Sequence, residues 1–430
     1  MTKKDRRRKE LRRPGAKHTG SLAQGAIASN FAFFRCNTTT IDMGIGGGIA
    51  VTISFISCIW LPATLLCCLP WVQKQMLYLH WVTMFPGKWL EEPERAGFLK
   101  NQVAPFRIAT KDGHRLFTWL VAPLGVYARH LKDFIQGQSG IQDVTEKLTF
   151  RLLRDDPEAR LLIYFHGNAA TLGQQRRTEE YRSYASGACE KVFVLAFDYR
   201  GFGKSSGVPS EAGLRNDAEA VVDWALNVAK IPPNRIVLLG HSLGTAVATA
   251  VAVQYAEMGV QFAGIILCAA FTNAGSAFAS YSIGGVIPVL APVKMIPAVQ
   301  NWFSRKMQDT WRTDVRLAAL TRKYSNMRLV FVHAEDDGTM PWNQTEELFK
   351  STLKAATEPS ADDDAWSAPT PKYEAVDLGE AGRQEIWETA VARIEKLIAK
   401  HGDHNQMMTW SPIALAILQT FGLTASTTRL

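Results

Sequence analysis

Asn234-Arg235-Ile236-Val237-Leu238-Leu239-Gly240-His241-Ser242-Leu243-Gly244 is the stretch on which the reading of this chain turns. An apolar, β-branched run suited to a buried central strand ends in Gly-x-Ser-x-Gly and passes at once into the small, helix-forming Thr245-Ala246-Val247-Ala248-Thr249-Ala250. A serine on so sharp a strand-to-helix turn has strained backbone angles, and bulky side chains two residues to either side would clash. Gly240 and Gly244 remove those clashes. The helix N-terminus that follows aims N–H groups at an oxyanion forming over Ser242. Strand before and helix after are what separate this pattern from a chance occurrence.

Working outward, Leu161-Leu162-Ile163-Tyr164-Phe165 and Val192-Phe193-Val194-Leu195-Ala196-Phe197 are further continuous apolar strands. So are Gly264-Ile265-Ile266-Leu267-Cys268 and Leu329-Val330-Phe331-Val332-His333. Polar helices between them, at Arg176 to Tyr184 and Ser210 to Val228, make an α/β class with a mostly parallel central sheet covered on both faces. Reactive groups then collect at the carboxyl ends of the strands. Phe106 to Thr110 and Arg115 to Val121 read as a strand-turn-strand, and Pro123 to Pro157 as an inserted hairpin or surface excursion. The sequence therefore predicts a catalytic domain over 103–430. Within it lie an apolar lid over 272–320 and a disordered acidic loop over 357–371.

The chain has 430 residues, 47% of them apolar, enough for one full-sized core with appendages. Its formal charge of +8 invites a nucleic-acid reading. Nine basic residues from Lys3 to Lys17 supply nearly all of it, so the folded part is close to neutral and no basic groove is evident. The expectation is no nucleic acid, no metal and no cofactor. Six scattered cysteines give neither a disulfide framework nor metal-ligand spacing.

Residues 1–43 read as a disordered basic tail, 44–72 as a transmembrane anchor and 73–102 as a membrane-proximal linker. The 25 residues from Ile45 to Leu69 carry no charge, and about 20 apolar residues cross a bilayer core. The basic bias ahead of the anchor predicts a cytoplasmic N-terminus and a lumenal catalytic domain, in the endoplasmic reticulum or a later secretory membrane. Asn343-Gln344-Thr345 is then an accessible glycosylation sequon. Trp71, Tyr78, Trp81, Phe85 and Trp89 suit a segment at headgroup level, with ordinary core packing as the alternative.

His166-Gly167-Asn168-Ala169, Asp198-Tyr199-Arg200-Gly201-Phe202-Gly203-Lys204-Ser205, Gly240-His241-Ser242-Leu243-Gly244 and His333-Ala334-Glu335-Asp336-Asp337 together resemble the α/β-hydrolase superfamily. Within it they are most similar to membrane-anchored monoacylglycerol and lysophosphatidylserine lipases. The resemblance implies an α/β-hydrolase fold and a Ser, acid, His triad in that order. Ser242 is the nucleophile, and the family's Gly-x-x-Asp-x-x-Val-Pro pattern aligns Asp337 as the acid, with Asp336 the rival. The family's Gly-x-His-Asn ending matches His404 as the base, with His401 the alternative. Glu380-Ala381-Gly382-Arg383, directly after Asp377-Leu378-Gly379, contains no histidine, where the similar animal lipases carry one. The last strand therefore lies either there, with 383–400 as an extra element, or at Ile394 to Ala399. The backbone N–H groups of Asn168 and Leu243 are the implied oxyanion donors. His166 and His241 are expected to orient loops, and Asp198 with Arg200 to form a loop-holding ion pair.

The implied function is an anchored serine hydrolase cleaving acyl esters of monoacylglycerols or lysophospholipids, its partner a membrane lipid substrate. Two alternatives stand beside it, a catalytically silent membrane scaffold and an acyl-protein thioesterase. The second needs a cytosolic site.

Overall fold

The computed structural model describes residues 62, 64–84, 86–187, 190–280, 282–283, 287–288, 296–323, 327–358 and 370–423. Among these, ten strands build one sheet. They are β1 (Val103–Ala109), β2 (Arg115–Val121), β3 (Arg160–Phe165), β4 (Val192–Phe197), β5 (Ile236–His241), β6 (Gly264–Cys268), β7 (Met327–Ala334), β8 (Lys372–Asp377), β9 (Arg383–Glu388) and β10 (Ala392–Ala399). Their order is β1-β2-β4-β3-β5-β6-β7-β10-β9-β8. The stretch from β4 to β10 is parallel. Antiparallel pairs close both edges.

The apolar runs of β3, β4, β5 and β6 are buried along nearly their whole length, because each contributes alternate side chains to two cores, one on each face. Leu161, Ile163 and Phe165 face one core, while Leu162 and Tyr164 face the other. The helix Leu243–Glu257 after β5 is apolar all round and buried along most of its length.

Two expectations are corrected, and the position left open for the last strand is decided. Pro123 to Pro157 is helical, with helices Leu124–Arg129, Leu131–Gln136 and Leu148–Asp155, rather than a hairpin. Phe150 and Leu153, three residues apart, lie on one face of the last helix and are buried in the core. The last parallel strand is β10, which pairs with β7 from Ala392↔Met327 to Ala399↔Ala334. Lys372–Asp377 is instead the mostly exposed outer edge of a hairpin with β9. Asp198 and Arg200 do not pair with each other, as described below.

Of the predicted anchor over 44–72, residues 44–61 and 63 lie outside the described residues. No helix among the described ones is long and apolar enough to cross a membrane. Much of 73–102 packs onto the sheet domain. Helix Pro70–Tyr78 buries Leu77 and Tyr78, and the Trp119 indole of β2 donates to the Leu90 carbonyl at 2.9 Å. The aromatic set divides: Trp71 and Trp81 are exposed, Tyr78 is core, Trp89 is half-buried and Phe85 lies outside the described residues. In the predicted lid, helices Ala274–Ser280 and Pro297–Lys306 and the start of Thr313–Lys323 are described. Residues 359–369 of the predicted acidic loop are not among the described ones.

Candidate active site

Ser242 sits between β5 and the elbow helix at φ 52°, ψ −118°. A non-glycine residue tolerates that conformation only where its surroundings hold it. Its N–H donates to the Cys268 carbonyl at the end of β6, 2.9 Å away, and its carbonyl accepts the Thr245 N–H and hydroxyl at 2.9 and 2.7 Å. A Cβ on Gly244 would lie 1.9 Å from the Phe165 carbonyl oxygen, and one on Gly240 would lie 2.5 Å from the Gly244 carbonyl oxygen. The close approach of β3, β5 and the helix is thus the reason for both glycines. Gly244→Ala is expected to destabilise the fold by about 3 kcal/mol or more, since backbone must move to admit the methyl. Thermal denaturation reads this directly.

Asp337 and His404 meet across 67 residues of chain. His404 Nδ1 donates to Asp337 Oδ2 at 2.6 Å. The other carboxylate oxygen accepts the N–H groups of Thr339 and Met340, both at 2.8 Å. Burial works to raise the Asp337 pKa, but the charge of His404 and hydrogen bonds from His333 and His404 outweigh it and hold the carboxyl below the usual range. The carboxylate is therefore ionised at neutral pH and fixes the His404 tautomer, leaving Nε2 free to accept a proton.

The loop from β10 to His404 is pinned at each step. Gly402 takes φ 128°, and a Cβ there would lie 2.8 Å from Met407 Cβ. Asp336 accepts the N–H groups of Gly402 and Asp403, and Asp403 in turn accepts those of Asn405 and Gln406. Asp336, the rival acid, thus acts as a loop anchor, and His401 approaches it only to 3.9 Å with 64% of its side chain exposed. Ser242, Asp337 and His404 are all at most 8% exposed.

His241 and His166 hold loops. The His241 Nε2–H donates to the His404 carbonyl at 2.8 Å, and the two rings lie 5.0 Å apart. Burial first, then the neighbouring His404 charge, lowers its pKa to about 3, so the ring is neutral. His166 is fully buried with Nδ1 2.7 Å from the Gly167 carbonyl. Arg200 binds Asp217 and Asp112, whereas Asp198 accepts the Leu172 N–H at 2.7 Å.

Two supporting residues went unread in the sequence. The Arg177 guanidinium is buried and donates to the carbonyls of Gly167, Asn168, Ala169 and Thr171 at 2.8–3.1 Å, clamping the loop after β3. His333 Nε2 faces both Asp337 Oδ2 and the Met340 carbonyl at 3.0 Å, so that nitrogen carries the proton and helps hold the acid. An Arg two positions into a polar helix carries no sequence signal for this role, though His333, four residues before Asp337 at a strand end, does.

Ser242, Asn168 and Leu243 line a cavity of about 290 Å³ together with Met76, Leu77, Phe271, Phe278 and Met340. Among the described residues no cluster of His, Cys, Asp and Glu is arranged to hold a metal ion.

Behind the site, Glu180 is fully buried beside the Tyr164 hydroxyl, and burial raises its pKa to about 7 against the opposing effects of that hydrogen bond and the Arg177 charge. In the unfolded chain it ionises near 4.5. Between those values only the folded state holds the proton, so this contribution to stability is complete below pH 4.5 and is lost as pH rises through about 7. The loss amounts to about 3 kcal/mol. Glu180→Gln is expected to flatten the decline of the thermal midpoint between pH 5 and 8.

A mostly parallel sheet, a strained serine between strand and helix, and a buried acid-histidine pair at the carboxyl ends of neighbouring strands define the class of an α/β hydrolase. Residues 162–414 match the alpha/beta hydrolase family, and the chain belongs to it. It is 34% identical over 197 residues to human Protein ABHD12B, covering 45% of this chain and 50% of that protein. It is 27% identical over 282 residues to the Lysophosphatidylserine lipase ABHD12 of Danio rerio, covering 65% of this chain and 66% of that one. The chain thus spans between half and two thirds of the length of these relatives. A crystal structure of an alpha-beta hydrolase from Vibrio vulnificus is similar at a TM-score of 0.46 and 17% identity, covering 66% of this chain and 80% of that one.

Proposed function

We propose that this chain is a serine hydrolase of membrane lipids, cleaving acyl esters of lysophospholipids or monoacylglycerols. The observation that carries the reading is the His404–Asp337 hydrogen bond at 2.6 Å, formed at the carboxyl ends of the parallel strands, where Ser242 opens into an apolar cavity. Ser242 Oγ attacks the ester carbonyl carbon while His404 Nε2 takes its proton. The resulting oxyanion is held by the N–H groups of Asn168 and Leu243. As the intermediate collapses, the bond to the leaving alcohol breaks and His404 returns the proton to it. Water, deprotonated by the same imidazole, then attacks the acyl-enzyme, and the fatty acid leaves with Ser242 restored.

The apolar cavity favours an acyl chain, and the relatives named lysophosphatidylserine lipase support a lysophospholipid as the ester that carries it. The uncharged run over 45–69 supports a single-pass anchor, and the basic tail a cytoplasmic N-terminus with the hydrolase on the lumenal side. Asn343 is exposed at the start of helix Asn343–Thr357, which suits a glycan there. A fluorophosphonate probe tests the reading: it should label Ser242 in membranes. Comparative lipidomics with and without the protein should show lysophospholipid or monoacylglycerol accumulating in its absence. An unlabelled Ser242 would favour the silent scaffold. That alternative rests on the missing histidine after Asp377-Leu378-Gly379, an argument weakened by the edge position of β8, separated from β7 by β9 and β10.

A further inference from the structure

The segment 70–82 lies outside the family-matched residues 162–414, yet it reaches into the candidate site at two levels. Helix Pro70–Tyr78 ends at Leu79 in the left-handed conformation, φ 47°, and the chain turns back so that the Val82 N–H meets the Leu79 carbonyl at 2.9 Å. That turn presents the Tyr78 and Val82 carbonyls to the loop after β3. They accept the N–H groups of Ala169 at 2.9 Å and Ala170 at 2.6 Å, residues held at φ 55° and 54°. The loop bearing Asn168 is thus gripped both by Arg177 and by this segment.

The segment is itself tied down. The buried Tyr78 hydroxyl donates to Asp309 at 2.8 Å, and the Gln73 amide donates to the Lys306 carbonyl at 3.0 Å while accepting the Gln308 N–H at 3.1 Å. So fixed, it contributes Met76, Leu77 and Leu79 to the cavity that Ser242 opens into, together with Phe271 and Phe278 from the β6 side. A wall held by these directional bonds has a set position, and the side chains on it limit the space available to an apolar chain.

We propose that Met76 and Leu79 are specificity-determining residues that set the length of the acyl chain accepted by the site. This rests on the serine-hydrolase reading above. Each methylene that fits such a wall is worth a modest factor in rate, and a ring inserted into the cavity excludes several at once.

The test uses the full chain in membranes and a pair of alkyl fluorophosphonates, one short and one with a chain of twelve or more carbons. The measured quantity is the ratio of their Ser242 labelling rates within each protein, which normalises for any loss of folded material. Met76→Trp is expected to lower the long-to-short ratio at least tenfold, and Met76→Ala to shift it the opposite way. Leu79→Phe serves as a second filling variant should Met76→Trp fail to fold. Ratios that stay at the parent value in the filling variants, with both rates falling together, overturn the proposal. A parent protein that neither probe labels strikes the hydrolase reading itself and this proposal with it.

Discussion

Ser242→Ala is expected to lower ester turnover by about 10⁴–10⁶ while the protein remains folded. The size follows from what is removed: the neighbouring Thr245 hydroxyl is buried and committed to the Ser242 carbonyl at 2.7 Å, so it does not take over the attack. Folding survives because the bonds that hold the turn run through backbone. The Ser242 N–H still reaches the Cys268 carbonyl, and its carbonyl still accepts from Thr245. Alanine also has a Cβ like serine, so the strain at φ 52° is already accommodated. Turnover of a lysophospholipid or monoacylglycerol ester, measured beside the thermal midpoint, separates the two claims. Residual activity above about a tenth of the parent would remove Ser242 as the nucleophile, since a lost nucleophile costs far more.

His404→Ala carries the second large effect, several orders of magnitude in turnover, about 10⁴ or more. It also leaves Asp337 short of one partner, though the Thr339 and Met340 N–H groups and His333 remain to hold it. Stability should therefore fall only modestly. His401→Ala is expected to stay within a factor of a few of the parent, because that side chain is mostly exposed and lies toward Asp336 at 3.9 Å. The inverse pattern, an inactive His401 variant beside an active His404 variant, would reassign the base. Two active variants would bring down the triad altogether.

The reason His404 was hard to place from sequence lies in the sheet edge. Tyr373-Glu374-Ala375-Val376-Asp377-Leu378-Gly379 reads as a last strand by residue pattern, with Ile394 to Ala399 as the alternative. Which of them neighbours β7 depends on long-range pairing. β9 inserts between β8 and β10, and the register Ile398↔His333 puts the end of β10 level with the end of β7. That alignment brings the loop carrying His404 beside the loop carrying Asp337. Similarly, the mixed polarity of 123–157 reads as an inserted hairpin or surface excursion until Phe134, Phe150 and Leu153 find a core to bury themselves in.

What the sequence by itself determined is local. The elbow, its two glycines and the buried parallel strands follow from contacts within a few residues and from apolar runs, and these survive translation into a one-dimensional pattern. Only the tertiary structure decided which carboxylate meets His404, that Arg200 turns to Asp217 and Asp112 rather than to Asp198, and that Arg177 and the Tyr78 carbonyl grip the loop bearing Asn168. These are hydrogen bonds between elements far apart in the chain, several of them accepted by backbone. A carbonyl oxygen is present at every residue, so its use as an acceptor leaves no mark on the sequence.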